Sequence, residues 1–243
     1  MTLPDGLIDV LRSARHICVL TGSGVSAESG VPTFREAQTG LWEKFDPQQL
    51  ATPEAFQHDP ALIWRWYRWR RELVARAEPN PGHYALVDLA ARVPQLTLIT
   101  QNVDGLHQRA GSRDVREFHG NLFVDRCSVG DCVITGADMR VDVPLCRECG
   151  GRLRPGVVWF GESIPADALR AADNAAGSCD VFLSIGTSSL VWPAAGLAEI
   201  AQRQGASVIE INPDATPLTG QSRFAISEKS GVALPELVDS LAL

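Results

Sequence analysis

The chain has 243 residues, 45% of them hydrophobic, and a formal net charge of −7. That length allows one large domain, or a large domain carrying a small insertion, and the composition supports a full core. The acidic balance argues against DNA or an anionic membrane as the main partner, because both require a basic surface. No apolar run reaches the roughly 18 residues of a membrane span. The opening Met1-Thr2-Leu3-Pro4-Asp5-Gly6 lacks the basic and apolar stretches of a secretion signal. A reducing, cytoplasmic location is therefore expected, where clustered cysteines read as metal ligands before disulfides.

In chain order, residues 5–14 pattern as a short amphipathic helix. His16-Ile17-Cys18-Val19-Leu20 is an apolar run of strand length, followed by Gly22-Ser23-Gly24 and Gly30. Residues 44–75, rich in tryptophan and arginine, read as helical, and so do residues 82–91. A second buried strand, Leu96–Ile99, ends in Thr100-Gln101-Asn102-Val103-Asp104-Gly105. A strand-like piece, Val115 to Phe118, leads into His119-Gly120, and residues 121–154 carry four cysteines among short β-prone pieces. Helical residues 166–176 and 193–203 flank a strand at Val181–Ile185, which ends in Gly186-Thr187-Ser188. A last strand, Ser207–Ile211, ends in Asn212-Pro213. This alternation predicts an α/β fold with a Rossmann-like, doubly wound, mostly parallel sheet. The large domain is expected to be discontinuous, over 1–43, 76–120 and 155–243. The helical insertion 44–75 and the cysteine-bearing insertion 121–154 would form a small second domain.

Cys127, Cys132, Cys146 and Cys149 make a C-x4-C pair, a 13-residue gap and a C-x2-C pair, with Gly150-Gly151 after the second. Two close pairs on two turns supply the four thiolates of a tetrahedral zinc site. Four thiolates leave no open position for water, so such a zinc is structural. The bland alternative is four unrelated buried cysteines. Cys18 and Cys179 read as ordinary core residues.

The Gly22-Ser23-Gly24 turn lacks a full G-x-G-x-x-G, since Ala27 holds the third position. Its weight comes from the strand before it and the polar loop Ser26 to Arg35 after it, which together could hold a pyrophosphate. Gln101, Asn102 and Asp104 crowd the end of a strand, where ligands bind in open α/β sheets. They could read a ribose and an amide, cap a helix start, or do both. His119, one of five histidines, falls between the cofactor loop and the cysteine insertion; it is either a catalytic imidazole in a cleft or a structural one. Tyr67 and Arg70 share a helix face. The interleaved aromatics and arginines of Trp64 to Arg71 admit three readings: nucleic-acid stacking, inward tryptophans with snorkelling arginines, or an arginine aimed at a carboxylate.

Taken together, these residues resemble the sirtuin family of NAD-dependent protein lysine deacylases. The likeness runs from about residue 14 to 240 and rests on Gly22 to Arg35, Thr100 to His107, Phe118-His119-Gly120, the four cysteines, Arg154 to Glu162, Gly186-Thr187-Ser188 and Ile211-Asn212. It implies that Gly22, Ser23, Gly24, Ser26, Ala27, Glu28, Thr33, Phe34 and Arg35 hold the NAD phosphates and cover the ribose. Gln101, Asn102 and Asp104 would contact the nicotinamide ribose and amide. Gly186, Thr187, Ser188, Asn212 and Val232 would bind the adenosine half. His119 would be the general base, with Asn102 positioning the ribose or a water. Val157, Trp159 and Phe160 would line an acyl-lysine tunnel, and Val157 through Gly161 to Glu162 would pair with substrate backbone as an added strand. Zinc would be structural. NAD would be consumed as a co-substrate, giving nicotinamide, free lysine and 2′-O-acyl-ADP-ribose. Two departures stand out: serine at 23, where the family has alanine, and the longer first cysteine pair.

Tyr67 and Arg70 match the Tyr-x-x-Arg pair of the subgroup that resembles mitochondrial sirtuin five and many bacterial deacylases. The resemblance implies that they bind the carboxylate of succinyl-, malonyl- or glutaryl-lysine, with small Ala51 leaving room and acetyl also accepted. The expected partners are acyl-lysine proteins, with no nucleic acid, no membrane and a monomeric enzyme. A mono-ADP-ribosyltransferase is the alternative activity. A hydride-transfer dehydrogenase and a non-enzymatic reader rank lower.

Overall fold

The computed structural model describes residues 3–32, 46–130, 132–134, 138 and 140–241. Thr33, Phe34 and Arg35, expected at the cofactor, lie outside the described residues. Helix α1 (Leu7–Ser13) leads into strand β1 (His16–Thr21), whose six residues are all buried. A strand buried on both faces reads as a continuous apolar run, which is why β1 was visible in the sequence. After β1 come α2 (Gly24–Ala27), α3 (Pro47–Leu50), α4 (Pro53–His58), α5 (Pro60–Arg76), α6 (Pro81–Arg92) and β2 (Gln95–Thr100). Then follow α7 (Leu106–Ala110), β3 (Arg116–Glu117), β4 (Gly120–Cys127), β5 (Val133–Ile134) and β6 (Leu153–Val157). The chain closes with α8 (Ala166–Ser178), β7 (Val181–Ile185), α9 (Gly196–Arg203), β8 (Ser207–Ile211), β9 (Phe224–Ile226) and α10 (Ser230–Leu241).

Six strands form one sheet in the order β3-β2-β1-β7-β8-β9, every pair parallel. The chain builds outward from β1 to β3, then crosses back to β7 and builds the other way. The topological switch point therefore lies between β1 and β7, where a crevice opens at the strands' carboxyl ends. Side chains alternate across the sheet. Ile17, Val19, Leu183 and Ile209 pack with α1, α6 and α10, while Cys18, Leu20, Phe182 and Val208 pack with α8 and α9. Cys179 belongs to the second cluster, so both isolated cysteines are core residues.

The second sheet is small and antiparallel, in the order β5-β4-β6. It shares one apolar cluster with the helical arm: Leu50, Phe56, Ile63, Trp64, Trp66 and Tyr67 pack with Leu122, Cys127, Cys146, Leu153 and Trp159. Helix α5 starts on an Asp59 cap with Pro60 in its first turn. Its tryptophans 64 and 66 are fully buried, and Trp64 Nε1 donates to the Leu153 carbonyl at 2.8 Å. These rings cannot stack on bases. The neighbouring arginines reach across to the small sheet. Arg68 donates to the Val141 and Asp142 carbonyls, and Arg71 donates to Leu122 O and to Asp125 Oδ1, both at 2.6 Å. No helix among the described residues is long and apolar enough to cross a membrane.

Asp125 is 1% exposed and faces Arg71 across the arm and the sheet. Removing one partner of a buried pair leaves the other charge without compensation. Asp125→Ala is expected to lower the unfolding free energy by about 3 kcal/mol, measured by urea denaturation. A loss below about 0.5 kcal/mol, the size of an ordinary surface substitution, would mean the pair does not hold the lobe.

Candidate functional site

At the switch point, β1 and β7 end in glycine turns that interlock. Gly22 N–H donates to Ile185 O at 3.0 Å and Gly24 N–H to Gly186 O at 2.8 Å. A Cβ on either Gly22 or Gly24 would stand 2.7 Å from the Gly186 carbonyl oxygen, and one on Gly186 would stand 2.6 Å from Val25 N. These opposing atoms are backbone and cannot step aside, so all three positions require glycine. Ser23 between them is half-buried and caps α2 through its backbone, with no side-chain bond to the helix.

The polar cluster after β2 closes the same turn from the side. Asn102 Nδ2 donates to Gly22 O (3.0 Å) and to Ser26 Oγ (3.1 Å). The Ser26 hydroxyl in turn donates to Asp104 Oδ2 at 2.7 Å, and Asp104 Oδ1 accepts the Leu106 N–H at the start of α7. Helix starting and loop holding are thus done by one carboxylate. Both amide hydrogens of Asn102 are directed at the loop. On the far side, Gln101 Nε2 donates to Thr187 Oγ1 (2.9 Å) and Asn212 Nδ2 to Thr187 O (2.8 Å). Gln101, Thr187 and Asn212 therefore tie the ends of β2, β7 and β8 together. Ser188 is half-buried beside them, and Val232, on α10, is 46% exposed.

His119 stands where β3 gives way to β4. Its Nδ1 lies 3.1 Å from the Gln101 carbonyl oxygen. A carbonyl only accepts, so Nδ1 carries the proton and Nε2 keeps its lone pair. Burial pushes the His119 pKa down from its ordinary value, against the opposing effect of the Gln101 bond. Gly120 has φ +79°, and a side chain there would collide with the Gly156 carbonyl, so glycine alone lets β4 pair with β6 directly after the imidazole.

Trp159 links the imidazole side to the helical arm. Its Nε1 donates to the Tyr67 hydroxyl at 2.8 Å, and Arg154 lies 3.4 Å over its ring while forking onto Glu162. Tyr67 is buried and its phenol pKa is raised by burial. The Arg70 guanidinium lies 5.0 Å from the Trp66 ring centroid and 5.6 Å from that of Tyr67. Burial lowers the Arg70 pKa, while Tyr67 and Asp104 act in the opposite sense. Ala51 is buried, and its carbonyl accepts the Phe160 N–H at 2.9 Å. Val158 donates its N–H to His119 O, Trp159 to Glu162 Oε2 and Glu162 to Trp159 O. Within this stretch the N–H groups of Val158, Trp159, Phe160 and Glu162 thus have acceptors inside the protein.

In the small lobe, the sulfurs of Cys127, Cys146 and Cys149 lie within 4.8 Å of one another. Val129 N–H points at Cys127 Sγ (3.5 Å) and lowers that thiol's pKa, while Gly151 N–H at Cys149 Sγ (3.4 Å) acts in the same sense but is outweighed by the neighbouring thiols and burial, which raise the Cys149 pKa. Cys132 accepts the Cys127 N–H through its carbonyl at 2.9 Å, and its thiol lies beside Cys146. The three converging sulfurs fit a structural zinc, and Cys132, expected as the fourth thiolate, is not part of that 4.8 Å cluster.

Three features of the site escaped the sequence reading. Asn80 Nδ2 donates to Val25 O (2.8 Å) and Ser29 Oγ (2.9 Å), pinning the glycine loop to the start of α6. The Asn-Pro step that opens α6 was the available signal. The partner of Glu28 is the second: expected on the cofactor side, this residue directs its carboxylate at α10, with Oε1 2.9 Å from Gly231 N. His83 and His107 stack 4.9 Å apart, and His107 Nε2 lies 2.9 Å from Thr21 Oγ1. Burial and then His83 push His107 down to about 3, so it stays neutral.

Strand order and glycine interlock define a dinucleotide-binding α/β protein with a cysteine-bearing second lobe. The sequence profile of the Sir2 family matches residues 22–193, and the chain belongs to that family. It is 51% identical over 250 residues to an NAD-dependent protein deacylase of Methylococcus capsulatus, covering 99% of this chain and 98% of the relative. It is 52% identical over 234 residues to NAD-dependent protein deacylase 2 of Pyrobaculum aerophilum, covering 96% and 94%. The crystal structure of a Sir2 homolog–NAD complex superposes with a TM-score of 0.94 at 43% identity, over 99% of this chain and 94% of that one. A Sir2 complex with a deacetylated p53 peptide and 3′-O-acetyl ADP ribose superposes with a TM-score of 0.88 at 30% identity, over 98% of each chain.

Because Cys127 and Cys146 share the apolar cluster of the helical arm, metal removal should be felt beyond the cysteines. Dialysis against a strong zinc chelator is expected to release about one zinc per chain and loosen the small lobe, seen as lost amide protection in β4 and β6 with the large sheet still protected. Unchanged protection in the metal-free protein would rule out a structural role.

Proposed function

We propose that the protein is an NAD-dependent protein-lysine deacylase whose acyl pocket prefers chains ending in a carboxylate (succinyl, malonyl or glutaryl), with acetyl also accepted. The activity is that of the Sir2 relatives named above, which match over nearly their whole length. The observation that carries the preference is the Tyr67–Arg70 pair on α5, joined to Trp159 by the indole hydrogen bond. Arginine keeps its charge when buried and presents a planar fork that matches a carboxylate. Tyr67, whose oxygen already accepts from Trp159, keeps its own proton to donate. A terminal carboxylate would meet both, whereas acetyl would meet neither. Ala51 adds room for the longer chain.

When bound, NAD supplies the acyl-accepting sugar and the nicotinamide leaving group. Gly22, Ser23, Gly24, Ser26 and Ala27 would form the phosphate side of its site. Gln101, Asn102 and Asp104 would form the ribose and amide side, and Gly186, Thr187, Ser188, Asn212 and Val232 the adenosine side. Asn102 Oδ1 would accept from a ribose hydroxyl or a water. Val157, Trp159 and Phe160 would wall the acyl-lysine channel. His119 Nε2 would take the proton of the ribose hydroxyl that receives the acyl group. The substrates are acyl-lysine proteins, met by a monomeric enzyme without nucleic acid or membrane.

The depressed pKa of His119 sets the sign of the pH response. The neutral imidazole is the active form, so kcat/KM should rise with pH through a midpoint below the ordinary 6.5 and then level off. His119→Ala should remove this limb and reduce turnover by about 100-fold or more. A surviving acid limb in that variant would mean another group is the base. Arg70→Met should lower desuccinylation kcat/KM by about 10- to 100-fold, since hydrogen bonds to charged groups are worth about 1.5–3 kcal/mol. Deacetylation should change little. Equal losses on succinyl- and acetyl-lysine versions of one peptide would refute carboxylate recognition.

A further inference from the structure

We propose that Glu28 is a positioning residue: a clasp that fixes the glycine loop against the first turn of α10 and so sets the separation of the two halves of the NAD site. The proposal rests on the assignment of cofactor residues made under Proposed function. Glu28 follows α2 directly, within the same loop as Gly22, Gly24 and Ser26. Its Oε1 accepts the Gly231 N–H at 2.9 Å and the Ser230 hydroxyl at 3.2 Å. The carboxylate lies so close over Gly231 that a Cβ there would stand 2.7 Å from Oε2. The next residue, Val232, is on the adenosine side. The start of α6 packs into the same corner, where a Cβ on Gly82 would lie 3.1 Å from the Ser230 carbonyl carbon and 3.2 Å from Gly231 N.

The first N–H groups of a helix lack partners within it and attract negative charge. Glu28 satisfies this end of α10. Its charge is thereby held on α10 and away from the nucleotide phosphates, which an acidic side chain in that loop would otherwise repel. Asn80 holds the same loop from the other side, through Val25 O and Ser29 Oγ. Without Glu28 the loop stays anchored to α6 but loses its direct hydrogen bonds to α10, so the spacing of the phosphate side and the adenosine side rests on apolar packing and on α6 alone. The loss should therefore appear in dinucleotide affinity and not in the acyl-transfer step.

The test is calorimetric titration of ADP-ribose, which binds without turnover. Glu28→Ala should weaken its binding about fivefold, the equivalent of a helix-terminus interaction of about 1 kcal/mol. Glu28→Gln, which keeps an oxygen for Gly231 N–H, should recover most of that affinity. Gly231→Ala approaches from the other side: its methyl displaces the carboxylate while alanine favours the helix. It should weaken ADP-ribose binding without lowering Tm, a combination that general destabilisation does not produce, and it carries the test if Glu28→Ala fails to fold. The double variant should bind no more weakly than the weaker single, because both break one contact. In turnover, KM for NAD should rise while kcat at saturating NAD stays within about twofold. Unchanged affinity in both single variants, additive losses, or a fall in kcat at constant KM would overturn the clasp. If the wild-type protein itself failed to bind ADP-ribose, the cofactor-site assignment would fall instead.

Discussion

The close approach of two backbone turns, Gly22 to Gly24 after β1 and Gly186 after β7, is the constraint on which the site depends. These strands are neighbours in space but far apart in sequence, and they flank the point where the sheet changes its direction of growth. With side chains at the three glycines, the turns would part and the crevice would lose its floor. The surrounding polar groups brace this contact. Asn102 holds the Gly22 carbonyl, Asp104 holds Ser26, and Gln101 and Asn212 hold Thr187. Residues expected to touch the cofactor therefore also build the cradle, and little of the chemistry can be altered without altering the scaffold.

The imidazole obeys the same economy. One hydrogen bond to Gln101 O fixes the His119 tautomer, and that carbonyl belongs to a residue whose side chain ties β2 to β7. Orientation of the imidazole and assembly of the crevice are thus consequences of a single strand end. Burial does the rest by disfavouring the imidazolium form.

Much of this was legible because buried parallel strands leave a strong trace. The runs around Ile17, Leu98, Leu183 and Ile209 were read within a residue or two of the observed β1, β2, β7 and β8. Strand β9 and helix α10 gave no comparable trace. The strand is three residues long at a sheet edge, and Pro235 interrupts the helix pattern. The strand-end polar groups were legible from residue type and spacing, and so was the cysteine cluster, although of the four ligands expected only Cys127, Cys146 and Cys149 converge. Glu28 was not, because its partner lies about 200 residues away and sequence offers only its nearness to the glycines. The N–H groups around Trp159 were not legible either, because their acceptors come from Glu162, His119 and Ala51. The mixture of tryptophans and arginines in α5 admitted three readings until the small sheet was seen to supply both apolar partners and carbonyl acceptors.

The apolar cluster beneath α5 has a consequence for how the lobe can diversify. Tyr67 and Trp159 belong to the same packed unit as Cys127, Cys146 and Leu153. Because such interiors are close-packed, a change of volume on one side must be absorbed on the other. The helix that carries Tyr67 and Arg70 is therefore not free to drift independently of the small sheet. Lineages that change the buried face of α5 should carry compensating replacements around the cysteine knuckles, and grafting α5 alone into a relative should import a packing misfit.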